Sequence, residues 1–488
     1  MGLSTALNNA SLGLGASSRL ADTIANNVAN ALTPGFGKRT TELSSLTLGG
    51  YGSGVRIVGT SRAENAFLTA ERRGMDAALG ATGTRSDAYE RIMAAIGEPG
   101  GENSLSTLAT ALETTLMSAT ASPQSMTKLT DAVTAAASLA AAVNRVADEN
   151  VRLRTEADAG IARQVGQVND ALAAIDDINR KIANLAPQGV DVTGLQDERS
   201  RLIDGISAIV PVRAVKRDGD QVALYTQNGG VLLDGRVFAL SFTPAPNVVT
   251  PEMTLGAPLG GLMQDQGALT GPVALAAGSG TGVLDGGSLG VLFEVRDRLV
   301  PEVDGELDRY AGDLIERFRD LMPATWLDGA GEGLFVDGGT GGTTGLAGRI
   351  ALNAAVDPAA GGAVWRLRDG LAAAVPGLEG NGANLQALSD AMAAPRDPIG
   401  FVSQNARAGG ALMASEIGSF FAGRGARSDE NRAYLIARQS ALAEQEAHAT
   451  GVDSDAELQS LMLVEQTYAA NARVLSVIDD LMKLLLEV

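Results

Sequence analysis

Few residues in this chain have the types and spacing that chemistry requires. Its one histidine, His448, falls near the end of a helix-patterned stretch, and there is no cysteine. Structural and catalytic zinc sites draw on Cys and His, and a nucleophilic triad needs an imidazole beside Ser or Cys. One imidazole with only carboxylates for company argues for neither. The carboxylate pairs Asp176-Asp177 and Asp479-Asp480 sit in helical patterns, where adjacent residues do not face each other. They read as solvated faces, and Arg72-Arg73 reads the same way. The glycine-rich runs 278–290 and 329–345 fit neither G-x-G-x-x-G nor a phosphate loop ending in Lys-Ser or Lys-Thr, so they are expected to be surface loops. No catalytic, cofactor or metal residues are assigned.

The composition narrows the field further. At 488 residues the chain has room for three or four domains. Apolar residues make up 45% of it but aromatics only 4%, so Ala, Leu and Val must supply most of the burial, which suits close helix packing better than a large ligand pocket. A net charge of -19 repels phosphate backbones and anionic lipid, so neither nucleic acid nor a membrane is an expected partner. No stretch reaches the roughly 18–20 apolar residues of a membrane span. The N-terminus has no basic region, and Asn8, Asn9 and Ser11 interrupt any apolar core of a leader. Export, if it occurs, is expected without a cleaved signal.

The elements show a nested order. From Gly2 to about Asn30, Leu3, Leu7, Ala10, Leu14, Ser17, Ala21, Ile24 and Val28 recur in steps of four and three, a heptad-like helical seam stopped by Pro34-Gly35. Leu12 and Leu20 lie off that seam. Residues 41–60 read as extended and 61–96 as helical, with a second helix at 104–118. Ser122-Pro123 looks like an N-cap followed by Pro at the first helical position, opening a helix to about Ala186. Its second half carries Ile161, Val165, Val168, Leu172, Ile175 and Ile182 on one face. A further helix spans 194–210. From Val212 to Phe242 the period changes to strands, with hairpin signals at Asn228-Gly229 and Asp234-Gly235. Helix returns over 288–322. Residues 323–382 read as a small β-rich insert, with strands at Ala351 and Trp365 to Leu367, and Trp326 and Trp365 as its anchors. Helix resumes from about Pro398 to Ala449. The last helix, Ala456 to Leu486, repeats the seam spacing in Leu461, Val464, Tyr468, Asn471, Leu475, Ile478, Met482 and Leu485.

Both ends are therefore apolar-striped helices that can pair with each other. Periodicity leaves two outcomes open: the ends dock wholly on the protein's own core, or the pair keeps apolar surface for neighbours. In the second case each few hundred Å² of apolar surface buried per copy is worth several kcal/mol, at ~25 cal/mol per Å².

Several runs carry a resemblance. Ile24 to Phe36 (IANNVANALTPGF) is similar to the N-terminal signature of the flagellar rod and hook axial proteins, an Asn-rich helix end followed by Thr-Pro-Gly and an aromatic. The matching positions are Asn26, Asn30, Thr33, Pro34, Gly35 and Phe36. This chain has Leu32 where the usual form has Asn and Phe36 where it has Tyr, and Gly37 where the hook-associated protein 1 family usually has Ser. Gly451-Val452-Asp453 with Leu463 to Leu475 resembles the C-terminal signature. Three internal runs, 195–204, 220–226 and 287–297, resemble the hook-associated protein 1 family within that superfamily. The resemblance covers about residues 1–320 and 400–488, leaving the 323–382 insert outside it.

The order of the elements gives an α+β multidomain fold, with a long helical bundle formed by both chain ends and inserted β-rich domains. Residues 1–40 and 452–488 are then the terminal coiled-coil assembly domain. Residues 41–210, 286–322 and 383–451 form a helical rod domain, 211–285 a β-rich domain and 323–382 a second small insert. The role the resemblance implies is structural and not enzymatic: a junction ring between hook and filament, exported by the flagellar type III system. Its implied partners are further copies of itself in a closed ring of about eleven, the hook protein, hook-associated protein 3, and a cytosolic export chaperone on the C-terminal helix. The implied location is the extracellular flagellum. Leu3, Leu7, Leu14, Leu20, Ile24, Val28, Leu461, Val464, Tyr468, Leu475, Ile478, Met482 and Leu485 are the expected assembly residues. Two rivals remain: another axial protein with an added helical domain, and a peptidoglycan hydrolase carried on an axial scaffold.

Overall fold

The structure is a computed structural model. It describes residues 3–48, 51–256, 258–267, 272–279, 282–339, 341–396 and 408–486. Long helices and several small sheets make it an α+β multidomain fold. The elements run α1 (Leu3–Ala29), β1 (Arg39–Leu48), β2 (Tyr51–Arg62), α2 (Ala66–Ile96), α3 (Leu105–Ala121), α4 (Met126–Leu185), α5 (Thr193–Ser207), β3 (Val212–Lys216), β4 (Val222–Thr226), β5 (Val231–Leu233) and β6 (Leu240–Ser241). They continue β7 (Thr254–Leu255), β8 (Pro258–Leu259), β9 (Leu262–Asp265), β10 (Pro272–Leu275), α6 (Ser288–Glu294), α7 (Val300–Asp320), β11 (Phe335–Asp337), β12 (Ile350–Leu352), α8 (Arg366–Asp369), α9 (Ala383–Ala393), α10 (Gly410–Thr450) and α11 (Ser454–Leu486).

The chain divides into two compact units, and the division falls within α2, α4 and α10. The first unit comprises residues 1–79, 167–239 and 434–488. Strands β1 and β2 pair there as an antiparallel hairpin, and β3-β4-β5 form an antiparallel sheet. Val168, Leu172, Ile175 and Ile182 of α4 are wholly buried, as are Leu224 and Leu232 of the sheet. The spacing of the apolar face on α4 therefore translates directly into a buried stripe.

The second unit comprises residues 80–166 and 240–433 and holds the largest apolar core. Its central helix, α7, buries Val303, Leu307, Tyr310, Leu314 and Phe318 completely. A five-residue π-helical turn, Val295–Leu299, joins α6 to α7 just before Pro301. Proline cannot donate to the helical ladder and crowds the preceding turn, which accounts for the widening there. Trp326 is wholly buried, and its indole N–H donates to Leu367 O at 3.0 Å.

Four local expectations are corrected. The N-cap of α4 is Ser125, whose Oγ accepts from Lys128 N, while Ser122 closes α3 by donating its N–H to Ala119 O. Residues 366–369 form a helical turn and not a strand, so β11 pairs with β12 alone. Trp365 is only half-buried, and the anchoring of this region falls to Trp326. Helix α2 begins at Ala66, because β2 continues to Arg62. The expected start of the next helix near Pro398 lies outside the described residues. No helix is long and apolar enough to cross a membrane among the described residues.

Candidate assembly surface

The two chain ends meet along their stripes in the first unit. Asn27 Nδ2 of α1 donates to Glu457 Oε2 of α11 at 3.1 Å. Gly13 faces Asn471, where an added Cβ would stand 2.8 Å from Asn471 Nδ2. Moving back along α1 from Asn27 to Gly13 thus moves forward along α11 by the same fourteen residues, from Glu457 to Asn471. The helices run antiparallel in a fixed register, with Leu20 level with Val464. A larger residue at position 13 would have to push the Asn471 side chain aside. Glycine is needed at Gly54 of β2, where φ is +104° and a Cβ would stand 2.9 Å from Leu12 Cδ1. The off-seam surface at Leu12 is therefore covered by the hairpin.

The Asn-rich signature acts as a clamp at the far end of this pair. Asn27, only 1% exposed, donates to Arg39 O and accepts from Arg39 N through Oδ1, each at 2.9 Å. Its amide thus ties the helix end to the start of β1 while reaching Glu457. Lys38 Nζ pairs with Glu457 Oε1 at 2.7 Å, so this buried carboxylate is matched. Asn30 donates to Asn26 O, and Thr33 Oγ1 donates to Asn30 Oδ1. Pro34 and Gly35 make the exposed turn. The Arg39 guanidinium sits 4.8 Å over the Phe36 ring and bonds Asp197 of α5, which also accepts from Gly37 N and Arg62. Three runs far apart in sequence meet at this clamp.

Arg72 and Arg73, expected to be solvated, are instead part of a network within the first unit. Arg72 bonds Asp76, Asp204 and Glu446, and Arg73 bonds Asp204 and Ser200. Burial pulls the Arg72 guanidinium down, but the carboxylates of Asp204 and Glu446 more than offset it and keep it charged. By contrast, His448 is exposed beside Glu444. No group of three His, Asp or Glu side chains stands in position to hold a metal among the described residues.

The expected assembly residues differ in burial. Ile24 and Ile478 are buried, and Leu3, Leu7, Leu14, Leu20, Val28, Leu461, Val464 and Leu475 are half-buried. Tyr468 and Met482 are exposed. The side chain of Leu485 lies outside the described residues. Of the signature positions, Asn26, Thr33, Pro34 and Gly35 are exposed, while Asn30 and Phe36 are half-buried.

A second stripe on α11 was not anticipated. Leu463, Ala470, Val474, Val477, Leu481 and Leu484 repeat the heptad spacing one position behind the first seam, and all are exposed. Leu463 is 68% exposed, Val477 57% and Leu484 62%, so nothing among the described residues covers this face. The same spacing rule, applied to the neighbouring phase of the helix, would have found it. Asn27 was missed because its partners are remote in sequence. The tip of the turn adds Leu32, 97% exposed.

A family model described as the flagellar hook-associated protein FlgK helical domain matches residues 89–335, just over half of the chain. The flagellar hook-associated protein 1 of Salmonella typhimurium (strain LT2) is 26% identical over 266 residues, covering 52% of this chain and 46% of that protein. The protein of the same name from Escherichia coli K12 is 26% identical, with 52% and 47% covered. The one from Bacillus subtilis is 24% identical over 246 residues, with 48% of each covered. The chain thus spans about half the length of the curated relatives it matches. A solved structure described as the flagellar hook junction protein FlgK from Burkholderia pseudomallei aligns with a TM-score of 0.45 and 18% identity, covering 55% of this chain and 47% of that one.

Proposed function

The chain belongs to the family defined by the flagellar hook-associated protein FlgK helical domain, and on that premise we propose that it is a structural component of the flagellum, forming the junction between hook and filament by polymerising through its terminal helices. The observation that carries this reading is the uncovered second stripe of α11. Fully burying a side chain such as Leu or Val is worth about 1.5–3 kcal/mol relative to exposure. A face with several such residues in register gives each copy a strong reason to pack against the next. The seam pairs α1 with α11 inside one chain, and the neighbouring phase is left to other copies.

In this reading residues 1–40 and 452–488 act as the assembly domain. Closure of head-to-tail contacts gives a ring of about eleven copies, seated between the hook protein and hook-associated protein 3. The subunit leaves the cell unfolded through the flagellar type III apparatus. An export chaperone would cover α11 beforehand, since a groove that binds an amphipathic helix reads such a face. The proposal includes no catalytic role.

Deleting the gene and viewing the cells by electron microscopy tests the reading. Hooks without filaments, with flagellin in the medium, are the expected result. Normal filaments would sink the junction role. The rivals separate cheaply: purified chain growing into long tubes would favour another axial role, and release of peptidoglycan fragments would favour a hydrolase.

A further inference from the structure

In the second unit a carboxyl group is buried against an amide with half of its hydrogen bonding missing. Asn150 of α4 is wholly buried and Asp304 of α7 is 6% exposed. Asn150 Nδ2 donates to Asp304 Oδ1 at 2.7 Å. The other half of each group, Asn150 Oδ1 and Asp304 Oδ2, is buried with no hydrogen-bond partner among the described residues. An amide oxygen and a carboxylate oxygen are both acceptors, so an ionised Asp304 leaves two buried acceptors and no donor for them. One proton changes this, because a carboxylic acid and a primary amide are complementary at both ends. We propose that Asp304 is held as a neutral acid in the folded protein, with Oδ2–H donating to Asn150 Oδ1 to close a reciprocal acid–amide pair, so that the α4–α7 packing weakens when the proton leaves.

The surrounding charges fit a neutral acid. Arg154, one turn along α4, points its guanidinium at the carbonyl oxygens of Arg296, Thr250 and Met253, at 2.7–2.8 Å, and makes no hydrogen bond to Asp304. Asp308 on α7 donates no help: its carboxylate is occupied by the N–H groups of Gly345 and Ala347 and repels a second charge. Glu252 in the loop before β7 adds to the repulsion. Arg349, Asp297 and Arg296 lie further around this group and act through Asp308, Glu252 and Arg154. Burial pushes the Asp304 carboxyl up to about 7, against the pull of Asn150 and Arg154. An unfolded Asp titrates near 4 (~3.9). Between about 4 and 7 the folded chain therefore binds the proton more tightly than the unfolded one, and stability falls as pH rises through that window, then levels off.

The test compares urea unfolding of the full chain with that of Asp304→Asn from about pH 4 to pH 8. Asparagine carries the missing donor permanently. The unfolding constant of the wild type relative to the variant should rise by up to about tenfold per pH unit, then flatten above about pH 7. Curves that run parallel across the range would overturn the proposal. So would stabilisation of the wild type, but not the variant, by added Ca²⁺ or Mg²⁺, since the two oxygens would then be ligands of a cation. Infrared spectroscopy of the wild type gives a reading that does not depend on the variant folding. A protonated-carboxyl stretch at about pH 6 that fades as pH rises supports the pair, and its absence at that pH overturns it.

Discussion

Helices α7 and α11 both carry an apolar stripe, yet one is covered and the other is not. Between Val300 and Asp320, α7 has ten charged residues, four of them buried (Asp304, Glu306, Asp313 and Arg317) and six beside a stripe whose members Val303, Leu307, Tyr310, Leu314 and Phe318 are wholly buried. Between Ser454 and Leu486, α11 is longer but has seven, namely Asp455, Glu457, Glu465, Arg473, Asp479, Asp480 and Lys483. Its only buried residues among those described are Glu457 and Ile478. A helix that ends its burial inside one chain needs polar residues over the rest of its circumference. Helix α11 lacks them on the face beside its seam, and that uncovered apolar face is the basis for proposing an interaction site there. The contrast lies in packing, but its cause is already in the charge pattern.

The comparison can be broken at either helix. The largest effect is expected in the closed core. Phe318→Ala should cost about 3–5 kcal/mol of stability, read by urea unfolding, because the dense surroundings cannot collapse into the space. A cost under about 1 kcal/mol would mean that this core is as loosely matched as the α11 face. An intermediate effect is expected at the clamp. Asn27→Ala strands Arg39 N–H and part of Glu457, which should cost about 1–3 kcal/mol. Hydrogen exchange should quicken first at β1 and the start of α11, while exchange in α7 is unchanged. The smallest effect on the lone chain, and the largest on assembly, belongs to Val477→Asp combined with Leu481→Asp. Both positions are exposed, so unfolding should shift by no more than about 0.5 kcal/mol per site. Yet the variant should fail to restore filaments to a deletion strain. Restoration of normal filaments would show that the second stripe is ordinary exposed surface.

The sequence disclosed what depends on local period. The terminal seams, the length of α4, the buried face from Ile161 to Ile182 and the strand character after Pro211 all follow from spacing that one turn of helix or strand can display. It disclosed poorly what depends on remote partners. Asn27 reads as one of several Asn residues until Arg39 and Glu457 stand beside it, and Arg72-Arg73 reads as solvated until Asp204 and Glu446 do. Ser122 and Ser125 are equally good caps by type, and the turn at Pro123 decides between them. Trp365 to Leu367 read as a strand, but Arg366 and Leu367 donate their N–H groups to Ala363 O and Val364 O in a local helical turn. The second stripe was legible all along, since it obeys the same heptad rule one residue out of phase.

The chain has no cysteine, so a thiol placed by mutation reports on one position alone. The most direct test puts Val477→Cys in one variant and Val375→Cys in another, then measures maleimide labelling of purified chain and of intact flagella. Val375, 72% exposed in the loop after α8, serves as the surface control. Both thiols should label in the purified chain, while in flagella Val477→Cys is protected and Val375→Cys still reacts. Equal labelling of Val477→Cys in both states would contradict the claim that other copies cover the second stripe of α11.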